Sequence, residues 1–171
     1  IYNVVFVKDT LKMTESDIHL SFLPLSHVFE RMAGHYLMIY IGASIAYAEG
    51  MEAVPKNLLE IKPTFILGVP RFYEKTRDRV LDAVNRSSSL KKGLFHWAKD
   101  LGRKKRELMD RGRSAGLFFG WEYALANELA YKKFKDRLGG KVRFCVSGGA
   151  PLAREIAEFF CDLGVMVYEG Y

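Results

Sequence analysis

Val165-Met166-Val167-Tyr168 runs directly into Glu169-Gly170-Tyr171, where the 171-residue sequence stops. A short β-preferring apolar run that ends in an acid, a glycine and an aromatic residue reads as a buried strand presenting polar groups at its carboxyl end. In open α/β sheets ligands bind beyond those carboxyl ends. The expectation is that the sequence breaks off inside a ligand site and is a piece of something larger. Ile1 agrees with this: there is no initiating Met, and Ile1–Val7 lacks the basic flank and small-residue cleavage site of a signal peptide.

The same strand-then-turn pattern recurs upstream. Val142–Val146 reads as a strand leading into Ser147-Gly148-Gly149-Ala150-Pro151, and Leu152–Leu163 as a helix closed by Gly164. Thr64–Val69 is a strand that stops at Pro70. Phe72, Thr76, Val80 and Ala83 then recur at helical spacing. Asp17–Leu25 suits a buried strand leaving its sheet at Pro24, and Val28–Ile41 an apolar helix. Ala43–Ala48 is a further strand, and Val54–Ile61 a helix ended by Pro63. Arg86-Ser87-Ser88-Ser89 reads as a linker. Beyond it, Leu90, Leu94, Trp97, Leu101 and Leu108 form one face of a basic amphipathic helix over 90–109, and a last helix over 118–138 ends at Gly139-Gly140.

Strands alternating with helices, joined by long crossovers, require parallel pairing. The expected fold is α/β: a mostly parallel, Rossmann-like layered sheet with a helical insertion at about 86–140.

Composition excludes several classes. With 49% hydrophobic and 13% aromatic residues the chain carries a core, and no apolar run reaches the ~20 residues a membrane span needs. The net charge of +6 is local: Arg86–Arg113 holds ten Lys/Arg against three Asp/Glu, a local +7 that leaves −1 elsewhere. That pattern argues against a nucleic-acid-binding domain. Cys145 and Cys161 have no metal-ligand or CxxC spacing and read as packing residues of a protein in the reducing cytoplasm. No metal-ligating set is legible. The basic helix reads either as a solvated cover on the sheet or as a peripheral contact with anionic lipid.

At the strand ends, Gly148-Gly149 permits positive φ and close approach of a flat ligand, or is a tight turn that topology requires. A helix starting at Ala150, with Pro151 near its first turn, would aim free N–H groups at that space. His27 reads as a polar group facing a ligand or as a satisfied histidine at a strand end. Tyr171 stacks on a purine or packs in the core. Glu30 and Arg31 read as an ordinary exposed or partly buried ion pair. Neither GxxxxGK nor GxGxxG occurs.

Ser21-Phe22-Leu23-Pro24-Leu25-Ser26-His27-Val28-Phe29-Glu30-Arg31, then Gly68-Val69-Pro70-Arg71, Ser147-Gly148-Gly149-Ala150-Pro151-Leu152 and Glu169-Gly170-Tyr171, in this order and spacing, resemble the AMP-forming long-chain fatty acid CoA ligases of the adenylate-forming superfamily. The resemblance implies a two-step ligase using ATP, Mg2+ and coenzyme A on a long-chain fatty acid, with 1–171 part of its large N-terminal adenylation domain. It implies His27 near the acyl carboxylate and α-phosphate, and Gly148, Gly149, Ala150 and Pro151 as the turn lining adenine and the acyl tunnel. It further implies Glu169, Gly170 and Tyr171 as the start of an adenine-facing motif, and Arg31 near a tunnel gate. The family's phosphate loop, the Thr and metal-binding Glu expected after Tyr171, and the small C-terminal domain have no counterpart here, so this piece alone is expected to be inactive. The alternatives are an adenylate-forming ligase for another acid, or a non-catalytic lipid- or nucleotide-binding module. A sheet edge cut at Tyr171 would be free to pair with a second copy.

Overall fold

The computed structural model describes residues 2–112 and 116–170. Helix α1 (Tyr2–Leu11) leads to β1 (Ile18–Ser21), then a π-helical stretch Glu30–Tyr36 continuing as α2 (Leu37–Ile41). There follow β2 (Ser44–Tyr47), α3 (Val54–Ile61), β3 (Phe65–Gly68), α4 (Pro70–Asn85), α5 (Ser89–Asp110) and α6 (Leu117–Ala126). A second π-helical stretch, Asn127–Tyr131, joins α6 to α7 (Lys132–Arg137), and β4 (Phe144–Gly148), α8 (Arg154–Asp162) and β5 (Met166–Gly170) complete the fold.

The five strands form one fully parallel sheet in the order β2-β1-β3-β4-β5. This order explains how the helices are distributed. The chain steps from β1 to β2 in one direction and from β3 through β5 in the other, and crossovers between parallel strands are right-handed, so the two directions put their helices on opposite faces. One face therefore carries only α1 and the helix over 28–41. The other carries α3 to α8.

Side chains alternate across the sheet accordingly. Phe65, Leu67, Phe144 and Val146 meet Met13, Leu37 and Met38 on the thin face. Leu20, Ile66 and Cys145 meet Leu58, Tyr73, Leu101, Tyr131, Phe134, Ile156 and Phe160 on the thick one. There α5 crosses α8 so closely that a methyl group on Gly102 would collide with the carbonyl oxygen of Asp162. Tyr73 is fully buried and donates its hydroxyl to the carbonyls of Val146 (2.8 Å) and Ile66 (3.2 Å). Both cysteines are free, and burial pushes the thiol of each above its ordinary value, as packing residues require.

The amino ends of three strands are tied by one buried carboxylate. Asp17 accepts from Arg143 (2.7 and 2.8 Å), from the Thr64 hydroxyl (2.5 Å) and from the Thr14 amide (2.8 Å). Burial alone would raise its pKa, but the bonds from Thr64, Thr14 and Arg143 hold the carboxyl below the usual value.

Several sequence expectations are corrected. The first strand ends at Ser21, not Leu25, because the chain folds into a turn in which the His27 amide bonds the Pro24 carbonyl (2.9 Å). The stretch 86–89 is a hydrogen-bonded joint, not a linker: Ser87 bonds the Val84 carbonyl through its amide and its hydroxyl, and Ser89 is already helical. Leu90 is exposed, and the inward face of α5 is Ala98, Leu101 and Gly102. The helix expected to start at Ala150 begins at Arg154. Nothing in the sequence pattern had marked α1.

Candidate functional site

The thin face leaves the carboxyl halves of β4 and β5 partly open, and Tyr168 is 45% exposed. Over them lies a groove of about 730 Å³. Its bed is Phe65, Leu67, Phe144, Val146 and Tyr168. Its walls are Phe6, Val7 and Leu11 of α1, and Val28, Phe29, Met32 and Leu37 of the helix over 28–41. At the strand ends its mouth is formed by His27, Ser147, Gly149, Ala150, Pro151, Glu169 and Gly170. The groove is thus apolar along its length and polar at one end.

Six of the residues singled out in the sequence therefore meet at one mouth: His27, Gly149, Ala150, Pro151, Glu169 and Gly170. Gly149 has φ +83°, which a Cβ would strain. Because α8 starts at Arg154, residues 150–153 are a non-helical lead-in, and the amides of Ala150 and Leu152 do not belong to the first turn of a helix. Gly148 stands behind the mouth, fully covered, where a Cβ would come within 2.7 Å of the Phe29 ring. The same ring lies 3.5 Å from where a Cβ on Gly170 would project. Gly148 makes room for Phe29, whereas a Cβ on Gly170 would press closest on Val146, at 3.3 Å. Tyr171 lies outside the described residues.

His27 is exposed on the mouth, and its Nδ1 accepts the amide hydrogen of Phe29 at 3.3 Å. In the neutral ring the proton then sits on Nε2, leaving a hydrogen-bond donor free. Arg31 does not line the groove. Its Nε donates to the Leu25 carbonyl (3.2 Å), and it borders a separate hollow of about 330 Å³ with His35 and Tyr36.

The expected Glu30–Arg31 ion pair is not formed. Glu30 is fully buried, and its Oε1 accepts from the Ser21 hydroxyl (2.6 Å) and pairs with His19 Nε2 (2.9 Å). His19, also fully buried, stacks on Phe65 with ring centroids 5.2 Å apart. This polar cluster beneath the groove wall was missed in the sequence. Two polar residues at i and i+2 in an otherwise apolar strand, His19 and Ser21, are the signal that marks it, since they must share a face. Ser147 Oγ, buried beside the mouth, has no hydrogen-bond partner among the described residues. No group of three or more His, Cys, Asp or Glu side chains among the described residues could hold a metal ion.

Comparisons with known proteins address the family and the fold. The model of the family described as "AMP-binding enzyme" matches residues 1–171. Long chain acyl-CoA synthetase 6, peroxisomal, of Arabidopsis thaliana is 37% identical over 173 residues, covering all of this chain and 23% of that protein. Fatty acyl-CoA synthetase A of Dictyostelium discoideum is 38% identical over 144 residues, covering 84% of this chain and 20% of that protein. The chain thus spans between a fifth and a quarter of the length of these relatives. Among solved structures, the adenylation domain of a carboxylate reductase from Mycobacterium chelonae superposes with a TM-score of 0.61 at 23% identity, over 91% of this chain and 20% of that one. Apo MatB from Rhodopseudomonas palustris gives 0.58 at 18%, over 99% of this chain and 24% of that one. These two likenesses speak to the fold. With the whole length matched by one family model, and the marked residues gathered at the strand ends, the chain belongs to the AMP-binding enzyme family.

Proposed function

We propose that the protein carrying this chain is an AMP-forming long-chain fatty acid CoA ligase, and that the groove receives the fatty acid with its carboxylate at the His27 end. The observation that supports this most directly is the groove's polarity: an apolar bed of Phe65, Leu67, Phe144 and Val146 running to a mouth of His27, Gly149 and Glu169. A hydrocarbon chain gains about 0.8 kcal/mol per buried CH₂, while a carboxylate needs donors and a wet end. The names of the relatives, long-chain and fatty acyl-CoA synthetases, support the same substrate class.

In this reading a carboxylate oxygen attacks the α-phosphorus of ATP. A new O–P bond forms, the bond to the β-phosphate bridging oxygen breaks, and pyrophosphate leaves. The thiol of coenzyme A then attacks the acyl carbonyl carbon, AMP departs, and the thiol proton passes to solvent or base. This chain's own part is to bind and orient: the walls exclude water from the acyl chain, and the backbone at Gly149 lets a flat base approach. His27 Nε2–H can bond the carboxylate or an α-phosphate oxygen as negative charge redistributes. Among the described residues no group of three or more His, Cys, Asp or Glu could hold a metal ion, and no step assigned to these residues passes through Mg2+. The roles of Gly148, Ala150, Pro151, Glu169, Gly170 and Tyr171 against the nucleotide, and of Arg31 near the acyl entrance, belong to the same reading. So does assigning 1–171 to the large adenylation domain, with 86–140 as its helical insertion.

The test is pyrophosphate exchange by the full-length protein with ATP, Mg2+ and either palmitate or acetate. Exchange with palmitate and little with acetate is expected. Equal rates with acetate would assign another acid, and no exchange with any acid would leave a binding module. His27→Ala should lower exchange about a hundredfold with the fold retained; wild-type rates would make His27 structural.

Peripheral contact with anionic lipid on the cytoplasmic side is part of the proposal. Among the described residues no helix is long and apolar enough to cross a membrane. Because Ala98, Leu101 and Gly102 turn α5 inward, Arg103, Lys104 and Arg111 are left exposed. Arg106, in contrast, is engaged by Glu158 and Asp162 at 3.0 Å each. Reversing the charges of Arg103 and Lys104 should weaken binding to anionic vesicles, and unchanged binding would leave α5 a solvated cover.

A further inference from the structure

We propose that Glu30 is a positioning residue: its buried carboxylate latches the groove-wall helix to β1 and so holds Phe29 over the ends of β4 and β5 and His27 at the mouth. The proposal rests on the reading of the groove as an adenylate-forming site.

Burying an ionised carboxylate is costly unless it is paired and hydrogen-bonded. Here the two donors come from one neighbouring strand and converge on a single oxygen. Ser21 Oγ reaches Oε1 at 2.6 Å and His19 Nε2 at 2.9 Å, while Oε2 has no partner among the described residues. Such a bond set fixes direction more than it fills space. The carboxylate runs back under its own helix along the bare backbone of Gly34, one turn on. A methyl there would collide with Glu30 Oε1 and stand 2.7 Å from His19 Nε2. Glu30 also opens the π-helical stretch Glu30–Tyr36, a rare form of helix found frequently at functional sites.

The geometry carries this anchor to the mouth. Successive helical residues point about 100° apart, so Glu30 aimed at β1 sends Phe29 along the sheet toward β4 and β5. There the Phe29 ring occupies the space left by Gly148 and lies beside Gly170. The Phe29 amide in turn holds the His27 ring through Nδ1. Release of Glu30 would let Phe29 withdraw and His27 turn, with no residue of the groove itself altered.

The test uses the full-length protein and three variants. Glu30→Ala removes the latch, Glu30→Gln keeps an acceptor at Oε1, and Tyr131→Phe, whose hydroxyl bonds the Ala98 carbonyl on the thick face, controls for destabilisation alone. For Glu30→Ala the expected result is a rise of about tenfold in KM for the fatty acid, with kcat per folded molecule changed less. Amide hydrogen exchange should accelerate by about tenfold or more within 27–36 and not in α8. Glu30→Gln should stay within about threefold of wild type on both measures, and Tyr131→Phe should leave KM unchanged. An unchanged KM in Glu30→Ala, or Glu30→Gln as impaired as Glu30→Ala, overturns the proposal. If Glu30→Ala does not fold, Ser21→Ala removes one donor and should show the same pattern at about threefold; no change in either measure overturns the latch. If wild type exchanges no pyrophosphate with any acid, it is the functional reading that fails. The latch is then judged on hydrogen exchange, where acceleration confined to 27–36 sustains it and unchanged exchange overturns it.

Discussion

The two faces of the sheet do different work, and the strand order is the reason. On the thick face Tyr73, Phe160, Tyr131 and Ile156 are buried under several helices, and the polar atoms among them are spent on closing the structure, as when Tyr131 donates to the Ala98 carbonyl at 2.7 Å. On the thin face one crossover helix and α1 cover part of the sheet, apolar side chains line a groove, and the buried polar atoms are only partly satisfied, with His19 Nδ1 and Glu30 Oε2 unpartnered among the described residues. The denser packing lies on one side and the larger groove on the other, although the thick side also holds a hollow of about 420 Å³ among Phe22, Leu58, Phe72 and Phe134. A doubly wound sheet reaches this division when its chain reverses direction after a single crossover.

Truncations on the two faces should separate them most clearly. Phe160→Ala is expected to cost about 4 kcal/mol in urea unfolding, since its close-packed surroundings cannot collapse. Phe144→Ala, on the groove bed, should cost less by about 1 kcal/mol or more because that bed is already open. Equal losses would break the comparison.

Gly102→Ala should cost about 3 kcal/mol, because the added methyl meets backbone, the Asp162 carbonyl, and α5 must move off α8. Ligand affinity in the groove on the far face should change little when measured on the folded fraction. A parallel loss of affinity would show the faces to be coupled.

Asp17 belongs to neither face, and it makes a pH test. Its native pKa lies below the ordinary value because the bonds from Thr64, Thr14 and Arg143 outweigh burial. Its contribution is therefore present above the unfolded pKa and is lost as pH falls through the native one. Asp17→Asn should cost about 1–2 kcal/mol at neutral pH and flatten the acid limb of the stability profile below pH ~4. An unchanged acid limb would assign it to other carboxylates.

The smallest effect is expected at Trp121, which is 82% exposed on α6. Trp121→Ser should change stability by less than about 0.5 kcal/mol. A larger loss would mean that the thick side continues onto a further surface of the full-length protein.

Much of this was legible in the residues. Thr64–Val69 and Val142–Val146 announce strands through their β-branched and apolar runs, and Pro70 and Gly139-Gly140 place the boundaries that follow. The mouth was legible too, because His27 and Gly149 come after strands and Glu169 lies at the carboxyl end of one. The hidden parts have physical causes. Leu90 satisfied a helical stripe, but a stripe records which residues are apolar, not how the helix is rotated against a partner. The start of α8 was misplaced because proline near a glycine turn is equally compatible with a non-helical lead-in. Glu30 looked like half of a local ion pair, whereas its partners are nine and eleven residues back in β1.

By itself the sequence determined the alternation of strands and helices, the parallel pairing and the set of residues at the strand ends, because local periodicity and turn chemistry are written residue by residue. The tertiary structure decided which face each element covers, that Phe29 fills the space left by Gly148, and that His19, Ser21 and Glu30 converge out of water. Those depend on strand order and on contacts between distant segments, which no local pattern encodes. The strand at Val165–Tyr168 was recognisable from its composition; the groove beside it exists only because the sheet left that face thinly covered.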